Sequence, residues 1–167
     1  MMSNAWIDWL KKIPVDLGQG ALAETTEGKQ IALRLVPAGN GKRALDVGCR
    51  SGQQTRWLRS KGYQVTSIDL VQEFPECQVV DANQPLPFPA NSFDLVWCSE
   101  VLEHFRNPAG ALAEFHRVTA TGGRIILTTP NSYALLFRLL YVLGLTPQRL
   151  QRSDHLHFFN LSDIGRL

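Results

Sequence analysis

The strongest constraint on the fold is the stretch Ala44–Gly52, with the sequence ALDVGCRSG. The apolar run around one acid at Arg43–Val47 is typical of a buried strand in a parallel sheet. Residues 53–61 predict a helix that turns Trp57 and Leu58 inward. The glycines between them allow a sharp turn and let ligand atoms approach the backbone where a Cβ atom would collide. The stretch therefore predicts a strand, a turn and a helix that present backbone to a nucleotide-like ligand.

The spacing of the glycines in this turn excludes one class of nucleotide-binding protein. The dinucleotide fingerprint of dehydrogenases reads GxGxxG. The turn here reads Gly48-Cys49-Arg50-Ser51-Gly52, with glycine at its first and last positions only. The dehydrogenase interpretation therefore fails on spacing.

Further segments continue the alternation of strands, turns and helices. Gly62–Asp69 predicts a second strand that ends in an acid, and Val79–Ala82 predicts a third strand and its exit. Ser92–Cys98 predicts a fourth strand, which leads into the turn Ser99–His104. Gly122–Asn131 predicts a glycine turn and a fifth strand. Alternation of this kind gives a parallel sheet with helices on both faces and a ligand at the carboxyl ends of the strands.

These five elements, in this order, resemble the class I S-adenosylmethionine-dependent methyltransferases. Within that class they resemble the small-molecule and lipid methyltransferases of the ubiquinone-biosynthesis type. The resemblance is close over residues 41–131 and looser over residues 154–167. It implies an α/β fold of three layers, with a Rossmann-like sheet of strand order 3-2-1-4-5. It also implies S-adenosyl-L-methionine as cofactor, S-adenosyl-L-homocysteine as product, and direct methyl transfer to a small-molecule or lipid-linked acceptor.

The resemblance also implies which residues contact the cofactor. Asp69 would accept hydrogen bonds from the ribose hydroxyls, Asp81 would receive the adenine amino group, and the Ala82 N–H would meet a ring nitrogen. Asp46 would contact the methionine amino group, although an acid at this place fits equally well a role in bonding the turn's own N–H groups. The implied cofactor residues are Asp46, Gly48, Arg50, Gly52, Asp69, Asp81, Ala82, Cys98 and Ser99.

One position of the turn departs from the family's pattern. The family has three glycines, each separated by one residue, and Arg50 stands at the middle one. If the backbone there needs a positive φ, a residue other than glycine costs roughly 1 kcal/mol. The guanidinium either obstructs the cofactor or binds its carboxylate, and the sequence leaves both open.

Histidines are the candidate catalytic residues. Methyl transfer needs an acceptor held in line with the sulfonium, and a hydroxyl acceptor also needs a base. His104 follows the fourth strand at the predicted cleft, where it is suited either to that role or to capping and packing. His155 and His157 share one face of an extended segment, and in the family a histidine before a Phe-Phe pair recurs near the acceptor. The two histidines lack recognisable further ligands, so contacts with substrate or Asp154 are favoured and no metal site is predicted.

The chain divides into a helical leader (1–40), a cofactor-binding core (41–131) and a C-terminal apolar helix with a substrate-side segment (132–167). The resemblance implies that the leader packs over the cofactor cleft as a lid, and a helix that buries an apolar stripe on the sheet is compatible with that role. Tyr133–Leu145 is apolar nearly all round, so it is either buried or in contact with a hydrophobic acceptor or a membrane surface.

The sequence after the fifth strand offers no counterpart of the antiparallel hairpin that ends the family's sheet. An uncovered fifth strand would expose unpaired N–H and C=O groups. Truncation of the chain, a cover formed by the Tyr133 helix, and a second subunit all remain open, and a dimer is expected. This keeps an alternative function in view, a non-catalytic methyltransferase-like subunit that binds and stabilises a partner protein.

Composition limits the classes of partner and the cellular location that can be expected for the chain. A formal net charge of +2 without a basic run gives no electrostatic footprint for nucleic acid. Cys49, Cys77 and Cys98 form no CxxC pair and indicate reduced thiols. No segment reaches the roughly 18 apolar residues of a membrane span, and residues 1–12 lack the apolar core of a signal peptide. A cytoplasmic location is therefore predicted.

Overall fold

The computed structural model of the protein describes residues 27–130 and 154–167. The first of these ranges contains three helices and five strands, of which the second, third and fourth strands follow one another without an α-helix between them, and the second range adds one short helix. A 3₁₀ turn at Leu102–His104 lies between the fourth strand and the third helix. In chain order, the elements are α1 (Glu27–Leu35), β1 (Arg43–Val47), α2 (Gln53–Ser60), β2 (Gln64–Asp69), β3 (Cys77–Val79), β4 (Phe93–Ser99), α3 (Pro108–Val118), β5 (Thr119–Thr128) and α4 (Leu161–Ile164).

The five strands form one sheet in the order β3-β2-β1-β4-β5, and all neighbouring pairs are parallel. The strand order reverses direction between β1 and β4, which creates a crevice at the carboxyl ends of the strands. This arrangement confirms the predicted fold class and the predicted order 3-2-1-4-5.

Both faces of the sheet are covered by helices because successive side chains of each strand point in opposite directions. On one face, Ala44 of β1 and Trp97 of β4 pack in a cluster with residues of α1 and α2. On the other face, Leu45 and Val96 pack in a cluster with Phe115 of α3. Each of these five residues is at most 1% exposed. The core therefore consists of two apolar layers separated by the sheet.

The glycine turn predicted before the fifth strand is wrong. β5 is already extended at Thr119, which pairs with Phe93 of β4. The next pair in the register is Leu95 with Arg124, so the segment from Thr119 to Arg124 of β5 lies opposite the shorter segment from Phe93 to Leu95 of β4. Gly122 lies within this irregularity and has a φ of 76°. The glycine pair thus accommodates a bulge inside the strand, which is a common role for glycine in sheets.

Several predictions fall on residues outside the described ranges. They concern the first part of the leader, the Tyr133–Leu145 segment and whatever covers β5, which lies at an edge of the five-stranded sheet. The lid, the membrane contact, the dimer and the domain boundaries therefore stay predictions. Among the described residues, no helix combines the length and the apolar character needed to cross a membrane.

Candidate active site

A cavity of about 620 Å³ opens at the carboxyl ends of β1, β2 and β4. Its position at the reversal of strand order is where ligands bind in sheets of this kind. Its volume is in the range of small-molecule sites. Five of the predicted cofactor residues line it, namely Gly48, Arg50, Asp69, Asp81 and Ala82.

The turn after β1 needs glycine at both ends. Gly48 has a φ of 74°, and a Cβ atom there would overlap Cγ2 of Val101. Gly52 has a φ of 78° at the N-cap of α2, and a Cβ atom there would lie 3.0 Å from Cε1 of Phe74. Gly48 lines the cavity, whereas the described lining does not include Gly52. Gly48 therefore leaves the backbone at the cavity without a side chain, and Gly52 adopts the left-handed conformation from which α2 begins.

Asp69 ends β2 beside this turn. Its Oδ2 accepts the backbone N–H of Arg50 at 2.9 Å, and its Oδ1 accepts the N–H of Leu70 at 2.7 Å. Each carboxylate oxygen has a further lone pair for a ligand hydroxyl. The carboxylate thus fixes the turn and still offers acceptors to the cavity.

Asp81 follows β3 and is held by a neighbour that the sequence analysis did not single out. Its Oδ1 accepts both the backbone N–H and the side-chain Nδ2–H of Asn83, at 2.9 Å each. These bonds hold the pKa of Asp81 below its usual value, so the carboxylate stays ionised. Asn83 also lines the cavity, and its Oδ1 accepts the N–H of Arg106 at 2.8 Å.

Asp46 is placed behind the turn, with its side chain 1% exposed and outside the described lining of the cavity. Its Oδ2 accepts the Thr55 hydroxyl at 2.6 Å, and Thr55 Oγ1 lies 2.8 Å from Ser67 Oγ. Burial raises the pKa of Asp46 to about 6, although the Thr55 hydrogen bond lowers it. The observed hydrogen bond joins β1 to α2.

Cys98 and Ser99 also have side chains outside the described lining of the cavity. Cys98 is fully buried in the core cluster on the α3 face, and this burial raises the pKa of its thiol. Ser99 Oγ lies 2.8 Å from Thr128 Oγ1 on the neighbouring strand β5. The chain order of these residues was visible in the sequence, whereas the direction of each side chain depends on the pleat of β4.

Two of the three candidate catalytic histidines come together around Glu103. His104 lines the cavity, and its Nδ1 lies 3.0 Å from the Asp154 carbonyl oxygen. Its Nε2 and the Nε2 of buried His155 each lie 3.9 Å from Glu103 Oε1. The two imidazole rings meet edge to face, with their centroids 4.8 Å apart. His157 instead stacks on Phe159 at 5.6 Å, outside the described lining.

Glu103 is 1% exposed, and sequence reasoning missed its part in this group. Its Oε2 accepts the Thr129 hydroxyl at 3.0 Å, while Oε1 has no hydrogen-bond partner among the residues that the structure describes. Burial and, to a lesser extent, the nearby charge of Glu100 raise the pKa of Glu103 to about 8. Glu103, His104 and His155 each offer one ligand atom within 4.8 Å of the others, so they could share a proton or hold a metal ion.

This grouping depends on the attachment of the C-terminal segment. The backbone N–H groups of Leu156 and His157 both donate to the Glu103 carbonyl, at 2.9 and 3.1 Å. No local pattern reveals such a contact between residues about 50 positions apart in the chain. The histidines themselves were visible as residue types, but their partner was not.

The fold and the cavity together define a Rossmann-like α/β domain with a ligand-binding crevice at the carboxyl ends of its strands. Residues 45–127 match the family described as "Methyltransferase domain". The ubiquinone biosynthesis O-methyltransferase of Aromatoleum aromaticum is 32% identical over 145 residues, which cover 75% of this chain and 61% of that protein. The solved structure of an S-adenosylmethionine-dependent methyltransferase from Mesorhizobium loti is 25% identical and superposes with a TM-score of 0.58. The match covers 66% of this chain and 56% of the Mesorhizobium chain. Residues 45–127 therefore form a domain of this methyltransferase family.

Two further facts bear on how far the similarity reaches. The chain spans about three fifths of the length of the curated relatives it matches. A solved structure described as the [4+2]-cyclase SpnF is 30% identical, with a TM-score of 0.52, over 61% of this chain and 43% of its own. Similarity of fold alone therefore does not decide which reaction the protein performs.

Proposed function

We propose that the protein transfers a methyl group from S-adenosylmethionine to an oxygen atom of a small-molecule or lipid-linked acceptor. The observation that carries this proposal is the pair of carboxylates, Asp69 and Asp81, at the ends of adjacent strands on the wall of one cavity. Two acceptor groups placed side by side in this way suit the ribose and the adenine of one nucleoside.

The residues present fit the nucleoside and its amino-acid arm. Asp69 would accept the ribose hydroxyls, and Asp81 with the Ala82 N–H would bind the adenine. The backbone at Gly48 is open to a ligand because the residue has no Cβ atom, and a Cβ atom there would overlap the Val101 side chain. When bound, the cofactor supplies an electrophilic methyl group on a sulfonium. Because the methyl group moves in one direct displacement, the protein needs no nucleophile of its own.

His104 is placed to take the proton of a hydroxyl acceptor. The Asp154 carbonyl can only accept a hydrogen bond, so the His104 Nδ1 beside it carries a proton and donates. The Nε2 lone pair is then available as a base. Glu103 lies outside the described cavity lining and reaches it through His104, whose Nε2 is 3.9 Å from Glu103 Oε1, so Glu103 is a positioning residue.

The acceptor class is proposed from the names of the relatives. Several curated relatives are ubiquinone biosynthesis O-methyltransferases, which suggests a quinol or phenol that carries an isoprenoid tail. The alternative of a non-catalytic partner-binding subunit is less well supported, since these curated relatives are named as enzymes. A partner that covers β5 is compatible with either function.

The test is a transfer assay with methyl-labelled S-adenosylmethionine and the wild-type chain. The acceptors are a quinol with a short isoprenoid tail, the same quinol without the tail, and a phenol whose hydroxyl groups are all blocked. Label is expected in the free quinols and absent from the blocked phenol. An absence of label in every quinol, with cofactor binding intact, would contradict the proposed acceptor class. The assay is repeated once with a chelator and once with added magnesium. Transfer that is unaffected by both indicates that His104 acts as a base, whereas transfer that the chelator abolishes indicates a cation held by Glu103, His104 and His155.

A further inference from the structure

Backbone strain marks two residues of the cavity. In the described ranges, four residues other than glycine have a positive φ, and two of them are the loop asparagines Asn40 and Asn91. Asparagine adopts this conformation readily. The other two are Arg50, with a φ of 46°, and Glu100, with a φ of 57°, and both line the cavity. Strain of this kind persists where the surroundings enforce it, and it concentrates at functional sites.

The surroundings that enforce it at Arg50 are known. Asp69 Oδ2 accepts the Arg50 N–H at 2.9 Å and so holds the backbone in its left-handed conformation. That N–H is consequently turned to Asp69 instead of to a ligand. The Arg50 side chain is exposed and lines the cavity. The backbone N–H at this position is thus engaged by Asp69, while the exposed side chain belongs to a residue of the cavity lining.

The charged residues of the described cavity lining are mostly acidic. Among the lining residues that the structure describes, Arg50 is the only arginine or lysine. The acids of the same lining are Asp69, Glu73, Asp81, Glu100 and Asp154. An acidic wall attracts a sulfonium and an ammonium group but repels a carboxylate. In a ligand that carries all three groups, the carboxylate is the group with which the Arg50 guanidinium can pair.

We propose that Arg50 binds the carboxylate of the cofactor's amino-acid arm and thereby makes the cavity select ligands that carry this arm over the bare nucleoside thioether. A guanidinium is suited to this role because it binds a carboxylate through two parallel N–H donors. The departure from the family's glycine is then a specificity feature of this chain. The inference rests on the proposed function for the identity of the ligand.

The test compares two ligands by calorimetry. S-adenosylhomocysteine carries the amino-acid arm, and 5′-methylthioadenosine has the same nucleoside and thioether without it. Arg50→Ala keeps a side chain at the strained position but removes the guanidinium. It is expected to weaken S-adenosylhomocysteine binding roughly 10- to 100-fold, in line with the loss of charge-assisted hydrogen bonds. Binding of 5′-methylthioadenosine is expected to stay within about twofold.

Matched variants complete the experiment. Arg59→Ala removes an exposed arginine of α2 that lies outside the described lining, so it should change neither affinity. Arg50→Lys should restore part of the loss. Arg50→Gly removes the strain as well as the charge, and it should still bind S-adenosylhomocysteine weakly.

The outcomes separate this inference from the proposed function. Unchanged or tighter S-adenosylhomocysteine binding by Arg50→Ala or Arg50→Gly would mean that the side chain obstructs the site, and it would overturn the inference. Equal losses for both ligands would also overturn it, because they would point to the turn and not to the carboxylate. Wild-type protein that binds neither ligand would contradict the proposed function and, with it, the role of Arg50.

Discussion

The Asp69 carboxylate accepts the backbone N–H of Arg50 at 2.9 Å. This bond joins the carboxyl end of β2 to the turn that follows β1. The second carboxylate oxygen accepts the N–H of Leu70 at 2.7 Å. A single side chain therefore fixes a left-handed turn and presents acceptors to the cavity.

This relationship predicts the effect of Asp69→Asn. An asparagine has one acceptor oxygen where aspartate has two, so it cannot keep both backbone bonds and also accept a ribose hydroxyl. Binding of S-adenosylhomocysteine and of 5′-methylthioadenosine should fall together, by roughly tenfold or more, as measured by calorimetry. Asp94→Asn is the matched control, because Asp94 Oδ2 accepts the Arg43 N–H at 2.9 Å near the amino end of the sheet. Equal effects of the two variants on binding would contradict the role of Asp69.

The glycine at the start of the turn predicts a difference between two alanine variants. Gly48→Ala places a methyl group against Val101 and forces alanine into a φ of 74°. Gly41→Ala meets a similar φ of 80° but has no atom within 4 Å. Gly41→Ala should lower the free energy of unfolding by about 1 kcal/mol. Gly48→Ala should lower it further and also abolish nucleoside binding. Denaturant unfolding and calorimetry measure the two effects, and equal losses of stability would contradict the close approach of Val101.

Buried Asp46 predicts a pH dependence of stability. Its pKa is raised from 3.8 to about 6, so between these values the folded protein keeps a proton that the unfolded chain has lost. The free energy of unfolding should therefore fall as the pH rises from about 4 to about 6, by up to about 3 kcal/mol. Asp46→Asn keeps an acceptor for Thr55 without the charge, and it should remove this part of the decline. Denaturant unfolding at each pH gives the difference between the two proteins, and a difference that does not change with pH would count against the burial of a charged carboxylate.

The proposed role of His104 as a base predicts that its loss slows methyl transfer without weakening the binding of S-adenosylhomocysteine. His104→Ala should slow methyl transfer to a hydroxyl acceptor by roughly 100-fold or more, because no other imidazole lines the described cavity. S-adenosylhomocysteine affinity should stay within about twofold. His116→Ala removes an exposed histidine of α3 and should change neither quantity. An undiminished rate in His104→Ala would eliminate this histidine as the base.

The sheet and the position of the cavity could be predicted because they follow from local patterns. Short apolar runs that end in acids fix where strands stop, and strand-helix alternation fixes a parallel sheet. The carboxyl ends of β1 and β2 then meet, which places Gly48 and Asp69 on one cavity. These features depend on residues near one another in the chain or on simple topology.

The remaining features depend on information that a single sequence does not display. Whether Asp46 and Cys98 face the cavity depends on the direction of their side chains. The group around Glu103 forms only when residues 154–157 attach to the 3₁₀ turn. The bulge in β5 depends on the register between β5 and β4. The glycine pair is compatible both with a turn before the strand and with a bulge within it. Each of these features is decided by tertiary packing.

The central claim is that the cavity at the ends of β1, β2 and β4 binds S-adenosylmethionine. The most direct test is calorimetric titration of the wild-type chain with S-adenosylmethionine and S-adenosylhomocysteine, with Asp69→Ala as the control. The account predicts dissociation constants on the order of micromolar for the wild type and no measurable binding for the variant. An absence of heat with the wild type at millimolar ligand, or equal binding by the variant, would contradict it.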